Sequence, residues 1–244
     1  MSTATMTKPR EVGLLFTPEN LRLVRAGLKW QTRRGIKPQP ENHPSGYMTW
    51  PRMGIWMAEY AARHCPYGNP QLEPVKYYCK EAVQVLEIDD CVISRAGNYN
   101  QGRIWAEVRY VSDGAKDRVV ITPADYHKLL ARRDWRVPTS PMFMLKSIAR
   151  TWLTGKRTWT ERLGDMSAED AVAEGIEVDP EFAVGDQYEL YNPIHDVWRD
   201  YLSGGYDLTP VQSYATLWDS INGRGSWQSD KWCWCVEWEV PGDA

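Results

Sequence analysis

The sequence predicts an α+β fold in which short strands form a barrel-like sheet flanked by short helices. Three observations lead to this class. Segments rich in aromatic and β-branched residues are scattered along the chain, short helical segments with capping residues separate them, and no regular strand-helix-strand repeat is present. With 244 residues and 43% apolar content, the chain can fill one core. We therefore predict a flexible tail over residues 1–10 and a single domain over residues 11–244.

The first half of the chain is predicted to begin with a strand at 11–16 (EVGLLF). Thr17-Pro18-Glu19 then favours the start of a helix that ends at Gly27. The Pro- and Gly-rich stretch that follows predicts a large insertion at about 36–76, with one helix at 55–62. Alternating and β-branched residues predict strands within 75–88 and 104–112.

The second half is predicted to carry a further insertion at about 112–142, with a helix at 123–132 capped by Thr122. Strand character follows at 148–153 and again near Thr158. Ser167 to Asp170 predicts the start of a helix that runs through Glu174 and is closed by Gly175. A longer helix at 210–221 precedes a Trp-rich final strand at 232–240.

The composition limits the classes of partner. A net charge of -3 argues against a protein that coats phosphates generally, because such proteins need a strongly basic surface. The five cysteines show no disulfide pattern and the N-terminal residues lack the apolar run of a signal peptide, so we expect a cytoplasmic protein. No segment approaches the ~20 apolar residues of a membrane helix.

One segment stands out against this acidic background. Between residues 22 and 37 there are six basic residues and no acid: Arg22, Arg25, Lys29, Arg33, Arg34 and Lys37. Such a local positive field predicts a phosphate or another anionic ligand, and a solvated basic face is the alternative. Lys29 also lies three residues before Thr32, and a desolvated lysine beside a hydroxyl is a workable base and nucleophile. By spacing alone this signal is weak.

The same segment, AGLKWQTRRGIKPQP at 26–40, resembles the signature of the ASCH family, Gly-x-Lys-x-x-Glu-x-Arg. It is most similar to a phage and prophage branch in which the run commonly reads Gly-x-Lys-x-x-Thr-Arg-Arg. Three further stretches resemble that branch in the same order: HCPYGNP at 64–70, MSAEDAVAEGIE at 166–177 and YATLWDSINGRGSW at 214–227. The resemblance therefore spans nearly the whole chain, and it implies a phage-encoded protein with a small PUA-like barrel and a cleft beside Gly27.

The resemblance also implies a set of site residues. Thr32 stands where the family usually has Glu, as it does in bacterial N4-acetylcytidine amidohydrolases of the same superfamily. This implies Lys29, Thr32 and Glu174 as catalytic residues, with Lys29 taking a proton from Thr32 and Glu174 passing one to the leaving amine. Arg34 or backbone N-H groups would hold the developing oxyanion. A non-catalytic role is the alternative for each residue: Glu174 as a solvent-facing carboxylate, Thr32 as a turn cap and Lys29 as a phosphate contact.

The predicted substrate or nucleic-acid site includes Gly27 and Arg34, and four more positions complete it. Glu81 matches a family strand and is expected to point into the same cleft as Lys29, with a buried structural ion pair as the alternative. Arg33, Lys146 and Arg150 match basic family positions. Metal binding is not expected, because neither His64-Cys65 nor Cys233-x-Cys235 has a second pair at zinc-ligand spacing. Both Cys233 and Cys235, with the tryptophans that alternate with them, are expected to pack in a core.

These inferences lead to an expected function and to rivals. We expect an amidohydrolase that removes an N-acyl group from a cytosine-type nucleoside or base, without a cofactor. Its substrate would be a modified nucleoside or a base in single-stranded nucleic acid, and the sequence does not identify a protein partner. The rivals are a non-catalytic module that binds RNA or modified DNA, a metal-independent ribonuclease, and a phage protein that blocks a host defence by binding.

Overall fold

The computed structural model describes residues 8–42, 48–50, 54–56, 61–89, 104–132, 134–178 and 197–239. Within these residues four helices have both ends described, α1 Pro18–Arg25, α2 Pro123–Leu130, α3 Ala168–Ala173 and α4 Pro210–Asn222, and residues 61–62 are also helical. The strands are β1 Arg10–Leu15, β2 Gln31–Gly35, β3 Glu41–Asn42, β4 Met48–Trp50, β5 Gly54–Trp56, β6 Val75–Lys80, β7 Val83–Asp89, β8 Ile104–Tyr110, β9 Lys116–Ile121, β10 Trp152–Arg162, β11 Trp198–Arg199, β12 Tyr206–Leu208 and β13 Trp232–Trp238. The α+β class is therefore confirmed.

Two compact units make up the chain. Unit 1 consists of Met1–Arg10, Leu23–Val75 and Thr154–Ala244, and unit 2 consists of Glu11–Arg22 and Lys76–Leu153. The prediction of a single domain with two insertions stays a prediction. Among the described strands no closed barrel is present, so the predicted barrel also lacks confirmation.

The central sheet of unit 1 has β13 between β10 and β2, and both pairings are antiparallel. Residues directly opposite each other share a sheet face, and alternate residues of one strand point to opposite faces. The register pairs Arg33 with Cys235, and Cys235 with Trp159, so these three side chains lie on one face, which we call face A. Thr32, Val236 and Thr158 are likewise in register and lie on the other face, face B.

Each face of this sheet has its own apolar cluster. On face A, Cys233 and Cys235 pack with residues of α3 and α4, including Ala171, Tyr214 and Trp218. On face B, Trp234 packs with Ile36, Met48, Trp50, Ala61 and Cys65. Core packing of the two cysteines, expected from the alternation of this strand, is confirmed. Unit 1 also contains the three-stranded sheet β3-β4-β5 and the pair β11-β12.

Unit 2 has an antiparallel sheet in the order β7-β8-β9, whose apolar face packs against α2 and the segment at 144–148. Within this unit β1 lies beside β6, and the Cys79 N-H donates to the Thr151 carbonyl at 3.0 Å, just before β10 begins. None of the described helices is long and apolar enough to cross a membrane.

Two predictions of local structure are wrong in part. The helix expected at 55–62 is wrong at Ile55 and Trp56, which belong to strand β5 paired with β4, and it is confirmed at 61–62, where the chain is helical. Residues 57–60 lie outside the described part of the chain. The strand expected to begin at residue 148 begins at Trp152, because Lys146–Ile148 forms a 3-10 turn closed by a bond from the Ala149 N-H to the Lys146 carbonyl. At Ile55 and Trp56, the pairing of β5 with β4 outweighs the helical propensity of the local sequence.

Candidate functional site

Lys29 lies in the short connection between α1 and β2. Gly27, which adopts a left-handed backbone with φ 71°, ends the helix, and its N-H donates to the Val24 carbonyl at 3.1 Å. This turn directs the Lys29 side chain into the interior, where the residue is 3% exposed. The Lys29 Nζ donates to the Glu174 Oε2 at 2.7 Å and to the Glu174 carbonyl oxygen at 2.5 Å.

Glu174 is held in place by both ends of α3. The helix begins at a capping box in which Ser167 accepts from the Asp170 N-H, and it ends with Glu174 as its C-cap residue. Gly175 follows with φ 77°, and the Trp30 N-H donates to the Ala173 carbonyl at 3.0 Å. The Glu174 side chain is 3% exposed, so the solvent-facing alternative does not describe it.

Arg33 joins Glu174 to two further carboxylates on face A. Its Nη1 lies 3.4 Å from the Glu174 Oε1, its Nη2 lies 3.3 Å from the Asp170 Oδ2, and its Nε donates to the Glu161 Oε1 at 3.0 Å. The guanidinium itself is fully buried, whereas the side chains of Glu161 and Asp170 are partly exposed. Lys29, Arg33, Glu161, Asp170 and Glu174 therefore form one network, which we call the lysine-glutamate network.

The electrostatics of the network follow from its burial. Desolvation lowers the pKa of Lys29 below its ordinary value, although Glu174 opposes the shift and Arg34 and Arg33 add to it. Burial alone would lower the pKa of Arg33 as well, but neighbouring anionic groups, Glu174 and Glu161 among them, raise it above its usual value. The network thus contains a permanent cation, Arg33, and an amine whose proton is less firmly held.

Thr32 lies apart from this network. It is opposite Val236 in the register, so its side chain is on face B, whereas Gln31 and Arg33 bond to α3 from face A. Lys29 and Glu174 lie in the described part of the chain, and Thr32 makes no hydrogen bond to either of them. Arg34 also lies on face B, opposite Trp234, yet its charge still acts on Lys29. The structure brings Lys29 and Glu174 together and leaves the predicted alcohol on the opposite face.

The other predicted site residues belong to unit 2. Glu81, 2% exposed, accepts from the Arg150 Nε at 3.0 Å, the Arg150 Nη2 at 2.9 Å and the Ser112 hydroxyl at 2.7 Å. The Arg150 guanidinium also lies 3.7 Å from the centroid of the Tyr110 ring, and Lys146 pairs with Glu11. This is the buried ion pair considered as the alternative role of Glu81. That Glu81 points toward Lys29 stays a prediction.

Sequence reasoning missed four members of the site, Gln31, Trp159, Glu161 and Asp170. Gln31 donates from Nε2 to the Asp170 Oδ1 at 3.1 Å, and the Trp159 Nε1 donates to the Glu161 Oε2 at 2.6 Å. The spacing of Asp170 and Glu174, four residues apart, could have revealed Asp170, because such residues share a helix face. Glu161 and Trp159 gave no comparable signal, since their position follows from strand register.

Among the described residues, no group of three or more His, Cys, Asp or Glu side chains is placed to hold a metal ion. Comparison of the chain with protein-family models, curated proteins and solved structures found no match. The resemblance to the ASCH family therefore rests on the sequence motifs alone.

Proposed function

We propose that this protein is an amidohydrolase that removes an N-acyl group from a cytosine-type nucleobase, with Lys29 and Glu174 as its proton-transfer pair. The observation that carries the proposal is the 2.7 Å contact between the Lys29 Nζ and the Glu174 Oε2, with both side chains almost completely buried. Two residues 145 positions apart meet at the positions that the motif resemblance assigns to catalysis.

The chemistry of a buried amine and carboxylate supports this activity. Burial lowers the pKa of the Lys29 amine, which favours its neutral form, and the Glu174 carboxylate lies close enough to receive the proton that the amine takes up. A neutral Lys29 accepts a proton from an attacking hydroxyl, and Glu174 returns a proton to the nitrogen that leaves as the acyl C-N bond breaks. The acyl group then departs as a carboxylic acid after hydrolysis.

The attacking oxygen has two possible sources. If it is the Thr32 Oγ1, the hydroxyl has to approach the Lys29 Nζ from face B and form an ester intermediate that water hydrolyses. If it is a water molecule bound to Lys29, attack gives the carboxylic acid in one stage. The position of Thr32 opposite Val236 favours water.

Direct phosphate docking fits the same residues less well. Lys29 and Arg33 are buried and already face carboxylates, so neither can neutralise a phosphate without leaving its partner unpaired. This observation sets the proposed enzyme ahead of a binding module that uses those two cations.

The test is incubation of the purified protein with N4-acetylcytidine and a panel of other acylated nucleosides, read by mass spectrometry for loss of the acyl group. We expect release of cytidine without added metal.

Thr32→Val keeps the shape of the side chain and removes the hydroxyl, and Thr32→Ser keeps the hydroxyl. Activity in the valine variant assigns the attack to water, and activity only in the serine variant assigns it to Thr32. No hydrolysis of any acylated nucleoside by the wild-type protein would refute the proposal.

A further inference from the structure

A turn in unit 2 presents two large apolar side chains to solvent. In the 3-10 turn Pro141–Phe143, which we call the apolar turn, Met142 is 59% exposed and Phe143 is 64% exposed. The next two residues, Met144 and Leu145, are buried in the core of unit 2, so the turn has a fixed base. Neighbouring exposed apolar side chains on a well-anchored element are typical of a surface that contacts a membrane or another protein.

Two hydrogen bonds close the main chain of the apolar turn. The Phe143 N-H donates to the Ser140 carbonyl at 3.0 Å, and the Met144 N-H donates to the Pro141 carbonyl at 3.2 Å. Both N-H groups therefore stay paired whether water or another medium surrounds the turn.

The carbonyl groups of Met142 and Phe143 accept from two cations. The Lys80 Nζ donates to the Met142 carbonyl at 3.1 Å, and the Arg132 Nη2 donates to the Phe143 carbonyl at 2.7 Å. A further bond, from the Arg132 Nη1 to the Thr139 hydroxyl at 2.9 Å, holds the guanidinium in this position. A carbonyl without a partner is costly away from water, so these bonds fit the turn for an apolar environment.

The segment around the apolar turn carries cations that no carboxylate neutralises. Lys80, Arg132 and Arg136 take part in none of the ion pairs found among the described residues. The Arg136 guanidinium carbon instead lies 4.9 Å from the centroid of the Trp135 ring. Asp134 is the only acidic residue between positions 126 and 160 of the sequence, and it accepts from the Arg136 backbone N-H at 3.0 Å. A local positive charge therefore accompanies the apolar turn in a chain whose net charge is -3.

Apolar side chains flanked by cations match the layered chemistry of an anionic membrane surface. Apolar groups gain free energy by leaving water for the lipid, and Lys or Arg near the surface is attracted to anionic headgroups. The long side chains of Lys80 and Arg132 can keep their charges at the level of the headgroups while their stems lie along apolar surface. A single-stranded nucleic acid would instead use flat rings for stacking, and Met142 offers none.

We propose that the apolar turn inserts into the surface of an anionic membrane, where Met142 and Phe143 enter the lipid and Lys80 and Arg132 contact headgroup phosphates. Such contact with one leaflet needs no helix that spans the bilayer. The inference goes beyond the proposed hydrolase and does not depend on it, because every residue involved lies in unit 2.

The experiment measures co-sedimentation of the purified protein with vesicles of phosphatidylcholine, either alone or with about one third phosphatidylglycerol. We expect binding to the anionic vesicles that weakens with salt, and little binding to the neutral ones. Phe143→Ser should weaken binding about 10-fold, because it removes an apolar side chain from the lipid. Arg132→Gln keeps a donor for the Phe143 carbonyl but removes the charge, so it should weaken binding about 5-fold and reduce the salt dependence.

Leu72→Ser is the matched control, because Leu72 is 61% exposed in unit 1 and is followed by the carboxylate of Glu73. This variant should bind like the wild-type protein. Unchanged binding by Phe143→Ser, an equal loss in Leu72→Ser, or equal binding to neutral and anionic vesicles would overturn the proposal. Arg132-dependent binding of a fluorescein-labelled single-stranded RNA, without binding to vesicles, would also overturn it and would assign these cations to nucleic acid.

Discussion

Gly175 allows Lys29 to occupy its position beside Glu174. A Cβ atom at residue 175 would lie 2.9 Å from the Lys29 Cβ and 3.3 Å from the Leu23 Cδ1, closer than packed carbon atoms tolerate. The backbone at Gly175, with φ 77°, also disfavours any residue with a side chain. The glycine that ends α3 is therefore required both by the turn and by the lysine packed against it.

Gly175→Ala should lower the free energy of unfolding by about 2–4 kcal/mol, as backbone strain of ~1 kcal/mol adds to overpacking of ~1–3 kcal/mol. Gly204→Ala is the control, because Gly204 has φ 87° and a methyl group added there would meet no atom of the described residues within 4 Å. The comparison is made by urea denaturation. Equal losses in the two variants would show that contact with Lys29 contributes nothing.

The pH dependence of hydrolysis should report the Lys29 amine. A neutral lysine is the active base, so the rate rises with pH through the Lys29 pKa, which burial lowers from its ordinary value. In the residual hydrolysis of Glu174→Gln, which loses a charge that raises this pKa, the rise in rate should move to lower pH. Arg34→Gln removes a charge that lowers the pKa and should move the rise to higher pH. If the pH at which the rate rises is the same in both variants as in the wild-type protein, the titrating group is not Lys29.

At the scale of elements, α3 positions the site, and much of it could be predicted. Ser167 as the cap, Asp170 as its partner and Gly175 as the stop are local signals, and the structure has each in that role. The register of β2 could not be predicted in the same way. Which of Thr32 and Arg33 faces α3 depends on how β2 pairs with β13, two strands nearly 200 residues apart, and a shift of one residue would exchange their faces.

Ser167→Ala should therefore affect both stability and catalysis. Loss of the cap should cost about 1 kcal/mol of unfolding free energy and loosen the helix that carries Asp170 and Glu174. Thr209→Ala removes the same kind of capping box from α4 and should cost a similar amount of stability while leaving kcat/KM unchanged. A fall in kcat/KM as large in Thr209→Ala would indicate a general effect of stability.

At the scale of the whole molecule, the basic segment at 22–37 was predicted to bind an anionic ligand. Two of its residues instead form buried ion pairs within the protein. Lys29 and Arg33 point inward to carboxylates, while Arg22 remains 62% exposed beside Glu19. Charge pattern alone could not distinguish these, because burial is decided by the turn at Gly27 and by the sheet. The division into two units likewise had no sequence signal, since no linker of biased composition separates them.

Hydrolysis of a free nucleoside should depend little on salt. Buried pairs are screened much less than surface charges, and an uncharged nucleoside gains nothing from surface cations. We expect kcat/KM for N4-acetylcytidine to change less than about 2-fold between roughly 50 and 500 mM NaCl. A steep decline would instead place the important cations at the surface.

The central claim is that Lys29 works as a base and does more than tie β2 to α3. Lys29→Arg tests it most directly, because arginine keeps a positive charge for Glu174 but does not lose its proton. The measurement is kcat/KM for N4-acetylcytidine, with thermal unfolding followed in the same samples and Lys29→Met as the variant that breaks the pair. We predict that Lys29→Arg loses about 100-fold or more in kcat/KM while unfolding at a higher temperature than Lys29→Met. Hydrolysis by Lys29→Arg at the wild-type rate would contradict the claim.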